Sequence, residues 1–406
     1  MNDKIPAMRR DLQFLPVQHE GRQLIYIKDH LGLVQEGKVV EPPLYGLMTL
    51  LDGTCTIREM QMTLMRQKGG MLISFDEVKG LMDHLDASFL LESERFKTAR
   101  KEIVDRFTTA SMRPCSHSGQ AYPDDPAELR ARLDEILDGH KKADRPDGRT
   151  TALVVPHIDI GVGSRVYASG YQAIQGSDFS RVLILGVGHQ MINDLFSLTQ
   201  KDFKTPMGVV RNDKDIVKHL KDAGPELIAE NDFAHKNEHS IEFQTIFLQH
   251  ILEKDSFATV PILCGSIQAG LPEYTREAYC KKCSPFIEAI KRLVADSAGK
   301  TLVLAGVDLS HIGPKFGHDM PASLLESQAR AHDEVLLDCL CCLDRDGFWQ
   351  ESKRVMDRYN VCGFSALACL LEVLPPSTGH LLDYNLWHEG PTQSAVSFAS
   401  AMFVSS

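Results

Sequence analysis

No apolar run in this chain approaches the roughly 20 consecutive residues that a helix needs to cross a bilayer. The opening segment, "MNDKIPAMRRDLQFLP", lacks the long apolar stretch of a secretory signal, so the expected location is the cytoplasm. Positive charge is in deficit: Lys plus Arg number 44 against 55 Asp plus Glu, a net charge of −11. That balance repels phosphate backbones and anionic lipid heads, which argues against nucleic acid and membrane surfaces as partners. A zinc-ribbon framework is missing too. "CKKC", Cys280 to Cys283, stands alone, with no second pair at the spacing a structural site needs. Disulfides are not indicated by the ten cysteines either. Cys339, Cys341 and Cys342 crowd into "DCLCCLD", where reduced cysteine acts as a small hydrophobe. Internal repeats and low-complexity tracts are absent.

What is present is an ordinary globular composition, 43% hydrophobic and 24% charged, in a 406-residue chain long enough for two or three domains. Residues 1–106 read as a small α+β unit. "RQLIYIKDHLGLV" (22–34) reads as a hairpin. An apolar helix, a "DGT" turn and a second helix follow, the second capped by Thr56 with Glu59 as its capping-box partner. Ser74 caps a third helix whose stripe is Val78, Leu81, Met82 and Leu85, and an apolar strand is expected after it. This is the element order of a winged helix. It carries no dense basic recognition helix, which favours a peptide- or protein-binding use. Residues 107–127, rich in Ser, Pro, Thr and Asp without apolar period, read as a linker. From 128 to 406, continuous apolar strands alternate with helices, the pattern of a layered α/β sheet buried on both faces.

Three of those strands stop on chemistry. "LVVPHID" ends on His157 and Asp159, "VLILGVGHQ" on Gly188 and His189, and "VLAGVDLSH" on Asp308 and His311. In open α/β sheets, ligands bind beyond the carboxyl ends of the strands. A single strand-end histidine is usually a satisfied core or surface residue; three together favour one shared site. "HKNEHSIEFQ" adds His239 and Glu242, one turn apart on a helix, with Glu238 in its first turn and Asn237 as the expected cap. Cys362, before Gly363 at another helix start, is either a buried apolar cysteine or a ligand or nucleophile.

"PHID…YASGY", "ILGVGHQ", "TPMG", "NEHSIEFQ", "VDLSHIG" and "VCG" resemble, in order and spacing, the Memo-like family, whose bacterial members are called AmmeMemoRadiSam system protein B. The resemblance covers about residues 150–406. It implies a fold similar to the class III extradiol dioxygenases, with His157, His189 and Cys362 as metal ligands and Asp308 and His311 alongside. Glu238, His239 and Glu242 would line the same cavity as supporting or acid–base groups. It further implies Fe(II) or copper, with zinc less suited, a peptide or small-molecule substrate, and association with an AMMECR-like protein and a radical SAM enzyme. Two motifs depart from the family's usual form. "PHIDIG" places Asp159 where a carboxylate is uncommon, and Gln190 in "GVGHQ" cannot serve as a second imidazole. Residues 25–95, with their "LLDGTCTIREM" turn, are similar to the small PqqD-related peptide-recognition domains. A metal-dependent oxidoreductase is the leading expectation. A zinc-type hydrolase with Glu242 as base and a non-catalytic peptide-binding module stay open.

Overall fold

The structure is a computed structural model and describes residues 4–19, 21–141, 146–253, 255–296 and 300–405. The chain divides into two units, Met1–Thr109 and Ala110–Ser406.

In the first unit, β1 (Gln13–His19) and β2 (Arg22–Lys28) pair antiparallel, and β3 (Val39–Val40) adds to β2. Pro16 is tolerated because β1 lies at the sheet edge, where a missing N–H breaks no ladder. The expected hairpin therefore forms with the preceding segment. After Lys28 the chain is turned instead by Asp29, whose carboxylate accepts from the amides of Leu31, Leu33 and Val34 at 2.9–3.0 Å. The helices α1 (Pro42–Met48), α2 (Ile57–Gln67), α3 (Phe75–Ala87) and α4 (Glu94–Thr109) follow. Both capping boxes form, Thr56 with Glu59 and Ser74 with Glu77. Val78, Met82 and Leu85 of α3 bury against Leu47, Met48, Leu51 and Met60. The strand expected after α3 reduces to one bridge, Leu91 with Met8, before α4 begins.

The second unit runs β4 (Met112–Arg113), α5 (Pro126–Asp138), β5 (Arg149–Val155), α6 (Ser164–Ile174), β6 (Arg181–Val187), β7 (Phe196–Leu198), β8 (Asp202–Thr205), β9 (Gly208–Val210), α7 (Lys214–Ala223), α8 (His239–Ile251), β10 (Ala258–Cys264), α9 (Ile267–Gly270), α10 (Arg276–Asp296), β11 (Thr301–Gly306), β12 (His311–Ile312), α11 (Ala322–Cys341), α12 (Arg345–Val355), α13 (Phe364–Val373), β13 (Ser377–Glu389) and β14 (Ser394–Ser405). The main sheet has the order β12-β14-β5-β11-β6-β10-β7, with β13 paired to β14. Its centre, β5, β11, β6 and β10, is parallel, so four strands deliver their carboxyl ends to one edge. Each is apolar along nearly its whole length because helices cover both faces. Residues 272–299 read from sequence as helical with a break near Pro285; α10 passes through Pro285 unbroken, and 297–299 lie outside the described residues. Cys283 faces the core from α10 and Cys280 is half-buried; both are free thiols. Cys339 and Cys341 pack on the core, whereas Cys342 is exposed.

Of the stretch expected as a linker, residues 107–109 end α4 in the first unit and residues 110–127 are built into the second. Arg113 pairs through β4 with Phe203 of β8 and is fully buried. Asp125 caps α5 through the amides of Ala127 and Glu128. Among the described residues, no helix is long and apolar enough to cross a membrane.

Candidate metal centre

Two close approaches set the site. Gly186 and Gly306 are register partners on β6 and β11, and the start of α8 lies directly across them. A Cβ on Gly306 would fall 2.5 Å from the Ser240 carbonyl oxygen, and one on Gly186 2.7 Å from Ser240 Oγ and Ile241 Cγ1. Only glycine lets the helix seat there, and that seat brings Glu238 and His239 over the strand ends. At the other side, a Cβ on Gly363 would sit 2.6 Å from the Asp308 carbonyl oxygen, so glycine allows Cys362 to reach the end of β11.

The strand ends converge as expected from their sequence. His157, His189 and Cys362 each offer one ligand atom, and the three atoms lie within 4.8 Å of one another. Cys362 Sγ is 3.6 Å from His157 Nε2. A metal holding nitrogen at about 2.0 Å and sulfur at about 2.3 Å in tetrahedral geometry separates them by about 3.5 Å. The imidazoles are oriented by their other nitrogens. His157 Nδ1 donates to the Gly306 carbonyl at 2.9 Å, which leaves Nε2 free to accept. His189 Nδ1 meets both oxygens of Glu238 at 3.0 and 3.1 Å. Such carbonyl and carboxylate partners fix ring orientation and tautomer in histidine metal sites.

His239 stands against both. Its ring is 5.0 Å from His157 edge-on and 5.0 Å from His189 in a stack, with Nδ1 3.3 Å from Glu238. Glu238 rather than Asn237 caps α8, accepting from Ser240 N at 2.9 Å, so one buried carboxylate serves a helix end and two imidazoles. Asp308 holds the backbone after β5, accepting from the amides of His157 and Ile158 at 3.0 and 3.2 Å, with its other oxygen 3.6 Å from His157 Nε2. His311 bonds the Leu309 carbonyl through Nδ1 and packs edge-on to Phe316. It acts on Asp308 through charge and stands outside the close cluster.

Burial dominates the electrostatics. It pushes His157 down to about 4, helped by the neighbouring His189. It pushes His311 down to about 4 and His239 well below the usual range. It raises Asp308 to about 6, against the pull of His311, and lifts the Cys362 thiol well above its ordinary value. At His189, burial is outweighed by Glu238, and the pKa rises. Glu238 is held well below the carboxylate range despite its burial, chiefly by His189. Most of the imidazoles are thus neutral near pH 7, as metal ligation requires.

Glu242 departs from expectation. It shares a helix face with His239, but its carboxylate is consumed by other donors. These are Arg113 Nη1, Tyr122 Oη at 2.5 Å, Ser116 Oγ at 2.8 Å, and the amides of Ser116 and His117 at 3.0 Å. Burial opposes its charge, yet Arg113 and these bonds hold it far below the usual carboxylate range. A carboxylate so satisfied is a poor base. Asp159 also stays out of the cluster: it is exposed, and it accepts from Gly161 N and Val162 N. Conversely, the stretch taken as a linker supplies His117, whose ring lies 5.6 Å from His239 and whose Nδ1 bonds Ser116 Oγ. The available signal was Arg113, His117 and Tyr122 among small polar residues. A cavity of about 320 Å³ opens beside His189 and Cys362, walled further by Tyr274, Phe364, Gln268 and Asp357.

The protein is an α/β protein whose mixed sheet has a parallel centre, with a His–His–Cys cluster beyond the strand ends. The family profile described as Memo-like protein matches residues 113–402. A MEMO1 family protein of Aquifex aeolicus is 31% identical over 399 residues, covering 98% of this chain and 100% of that protein. One from Thermus thermophilus is 26% identical over 344 residues, covering 84% of this chain and 97% of its own. The chain belongs to the Memo-like family. A solved structure of an uncharacterized protein from Escherichia coli K12 aligns at a TM-score of 0.35 with 12% identity, covering 63% of this chain and 99% of that one.

Proposed function

We propose that this protein binds one redox-active metal ion through His157, His189 and Cys362 and acts as an oxidoreductase on a peptide or small-molecule substrate. The observation that carries this reading is the donor set. Two imidazoles with their Nδ1 atoms committed and one thiol sit at a spacing an ion bridges. Imidazole with thiolate suits iron or copper, and zinc less on the redox reading; it does not suit magnesium or calcium. Bound there, such an ion supplies Lewis acidity and one-electron redox chemistry.

The chain's own residues take the remaining roles. Glu238 orients His189 and carries the negative charge that offsets a cation. Asp308 fixes the backbone that presents His157. His239, whose ring packs against those of His157 and His189, takes the proton-transfer role beside the metal ligands, with His311 further out beside Asp308. Glu242 positions α8 and the Arg113 segment, and the hydrolase reading is left without its expected base. The first unit serves as a PqqD-like, winged-helix-type peptide-recognition domain. An AMMECR-like protein and a radical SAM enzyme are the partners that the family's bacterial naming suggests.

The test is metal analysis of anaerobically purified protein grown with iron, copper or zinc supplements, beside His157→Ala, His189→Ala and Cys362→Ser. About one ion per chain is expected in the wild type, falling 10- to 100-fold in affinity or more in the variants, since loss of a ligand exceeds loss of its support. Metal-free wild-type protein under all three supplements, or equal metal in wild type and variants, would end the proposal.

A further inference from the structure

We propose that His117 is a base of this site, presenting an unprotonated Nε2 to a hydroxyl or water at the mouth of the cluster, and that Glu242, acting through Ser116, fixes the tautomer that leaves Nε2 bare. The inference rests on the proposed function only in taking the His157–His189–Cys362 cluster as the place of the reaction.

The tautomer follows from the donors available. Glu242, held far below the usual carboxylate range by Arg113 and its hydrogen bonds, is ionised and can only accept. Ser116 Oγ donates its one proton to Glu242 Oε2 at 2.8 Å and accepts from Arg113 Nη2 at 3.0 Å. Its 2.9 Å contact with His117 Nδ1 therefore takes its proton from the ring. Glu242 Oε2 also stands 3.5 Å from Nδ1 and favours a proton there. The His117 amide, given to Glu242 Oε1 at 3.0 Å, ties the backbone to the same carboxylate. With Nδ1 protonated, Nε2 carries the lone pair, and it has no hydrogen-bond partner among the described residues. A carboxylate orienting an imidazole in this way is the logic of histidine bases, here with a hydroxyl between the two.

The ring also stands in the right place. His189, His239 and His117 follow one another at 5.0 and 5.6 Å between centroids, with side chains 36%, 32% and 27% exposed. A metal ligand and His117 thus belong to one accessible row. The charged and titratable groups facing His117 are Glu242 and His239, with Arg113 beyond Ser116. The step is a proton transfer. The O–H bond of the hydroxyl or water breaks, the Nε2–H bond forms, and the electron pair stays on oxygen, while Glu242 stands behind the imidazolium. Glu242, too well satisfied to be the base itself, acts through its neighbour.

The experiment uses the full chain stripped of metal, so its outcome does not depend on the metal reading. Nitrogen-15 NMR of labelled histidine reads the tautomer, with His117→Gln assigning the signal. Diethyl pyrocarbonate, which acylates only unprotonated imidazole nitrogen, reads the reactivity, and each histidine is quantified by peptide mass. His117 is expected in the Nδ1–H form. It is expected to be acylated at least as fast as His219, although His219 on α7 is exposed and His117 is largely shielded. Ser116→Ala removes the ring's acceptor. It is expected to shift the tautomer ratio about three- to tenfold toward Nε2–H, the worth of one hydrogen bond, and to slow acylation of His117. Ser116→Thr keeps the hydroxyl and should keep the wild-type behaviour. An Nε2–H tautomer in the wild type, slower acylation than at His219, or the same tautomer and rate in Ser116→Ala would each overturn the inference. The expected behaviour in a protein that takes up no iron, copper or zinc would end the metal reading and leave the oriented imidazole standing.

Discussion

Arg113→Met tests whether the segment after Thr109 is a working part of the second unit. Arg113 is buried, with Nη1 on Glu242, Nε on the His235 carbonyl at 2.9 Å and Nη2 on the Glu238 carbonyl at 2.8 Å. Methionine fills a similar volume but leaves a buried carboxylate without its cation. Breaking such a pair costs about 3–5 kcal/mol, because the remaining charge stays desolvated. Tyr122, Ser116 and His117 still donate to Glu242, which pulls the cost down, while two carbonyls lose a donor, which pushes it up. About 4 kcal/mol is therefore expected. The assay is urea unfolding of the full chain by tryptophan fluorescence. Both tryptophans, Trp349 and Trp387, lie in the second unit and report it selectively. With a urea slope of about 3 kcal/mol/M, the midpoint falls by roughly 1 M or more. Adding Glu242→Gln to Arg113→Met removes the stranded charge and returns about half the loss. Because Glu242 has a depressed folded pKa, its stabilisation is fully present above the unfolded value of 4.5 and is lost as pH falls toward the folded one. The gap between wild type and variant is thus flat above pH 4.5 and narrows below it. A midpoint shift worth under about 0.5 kcal/mol, or a double variant less stable than the single, would refute the reasoning.

Two further outcomes follow from the same packing. His235 is buried and pushed down to about 4, so the unfolded chain takes up a proton near 6.5 that the folded chain refuses. Its share of the stability should therefore fall by up to about 3 kcal/mol between pH 6.5 and 4, added to that of the other buried histidines, and in His235→Gln the urea midpoints should fall less steeply across that range by that share. Gly306→Ala drives a methyl into the Ser240 carbonyl, costing about 1–3 kcal/mol and lowering metal content as α8 lifts off the sheet. Unchanged stability and metal content would show that α8 is not seated by the glycine pair.

The strand-end residues were legible because burial on both faces makes a parallel strand read as an unbroken apolar run. The first polar residue after it then marks the edge where ligands sit. His157, His189 and Asp308 carry that signal, and they meet, joined by Cys362 from the start of α13. Thr56–Glu59 and Ser74–Glu77 were legible because a capping box is a local contact, encoded within four residues. Glu242 was legible as a neighbour of His239 but not in its role, since its partner Arg113 lies 129 positions away in a stretch without period. The same distance hid His117. β4 and β7 to β9, two to four residues each, are too short to show alternation. Asn237 looked the better cap for α8; Glu238 won because its carboxylate is also pulled by His189 and His239, a preference only tertiary structure creates.

The electrostatics of the cluster argue for the order in which it assembles. His157 and His239 resist protonation because each is buried beside another imidazole, and Cys362 resists ionisation because it is buried near Asp308. Glu238 stays charged, and its charge raises the pKa of His189. A cation bound here would ionise the thiol that burial holds neutral. On the metal-binding reading, uptake therefore releases protons and weakens as pH falls. The strands need no movement for this, because the Gly306 carbonyl, the Glu238 carboxylate and the Gly363 approach already fix the three donors from behind. On the metal-binding reading, the cost of gathering them is met by folding of the sheet rather than by the ion.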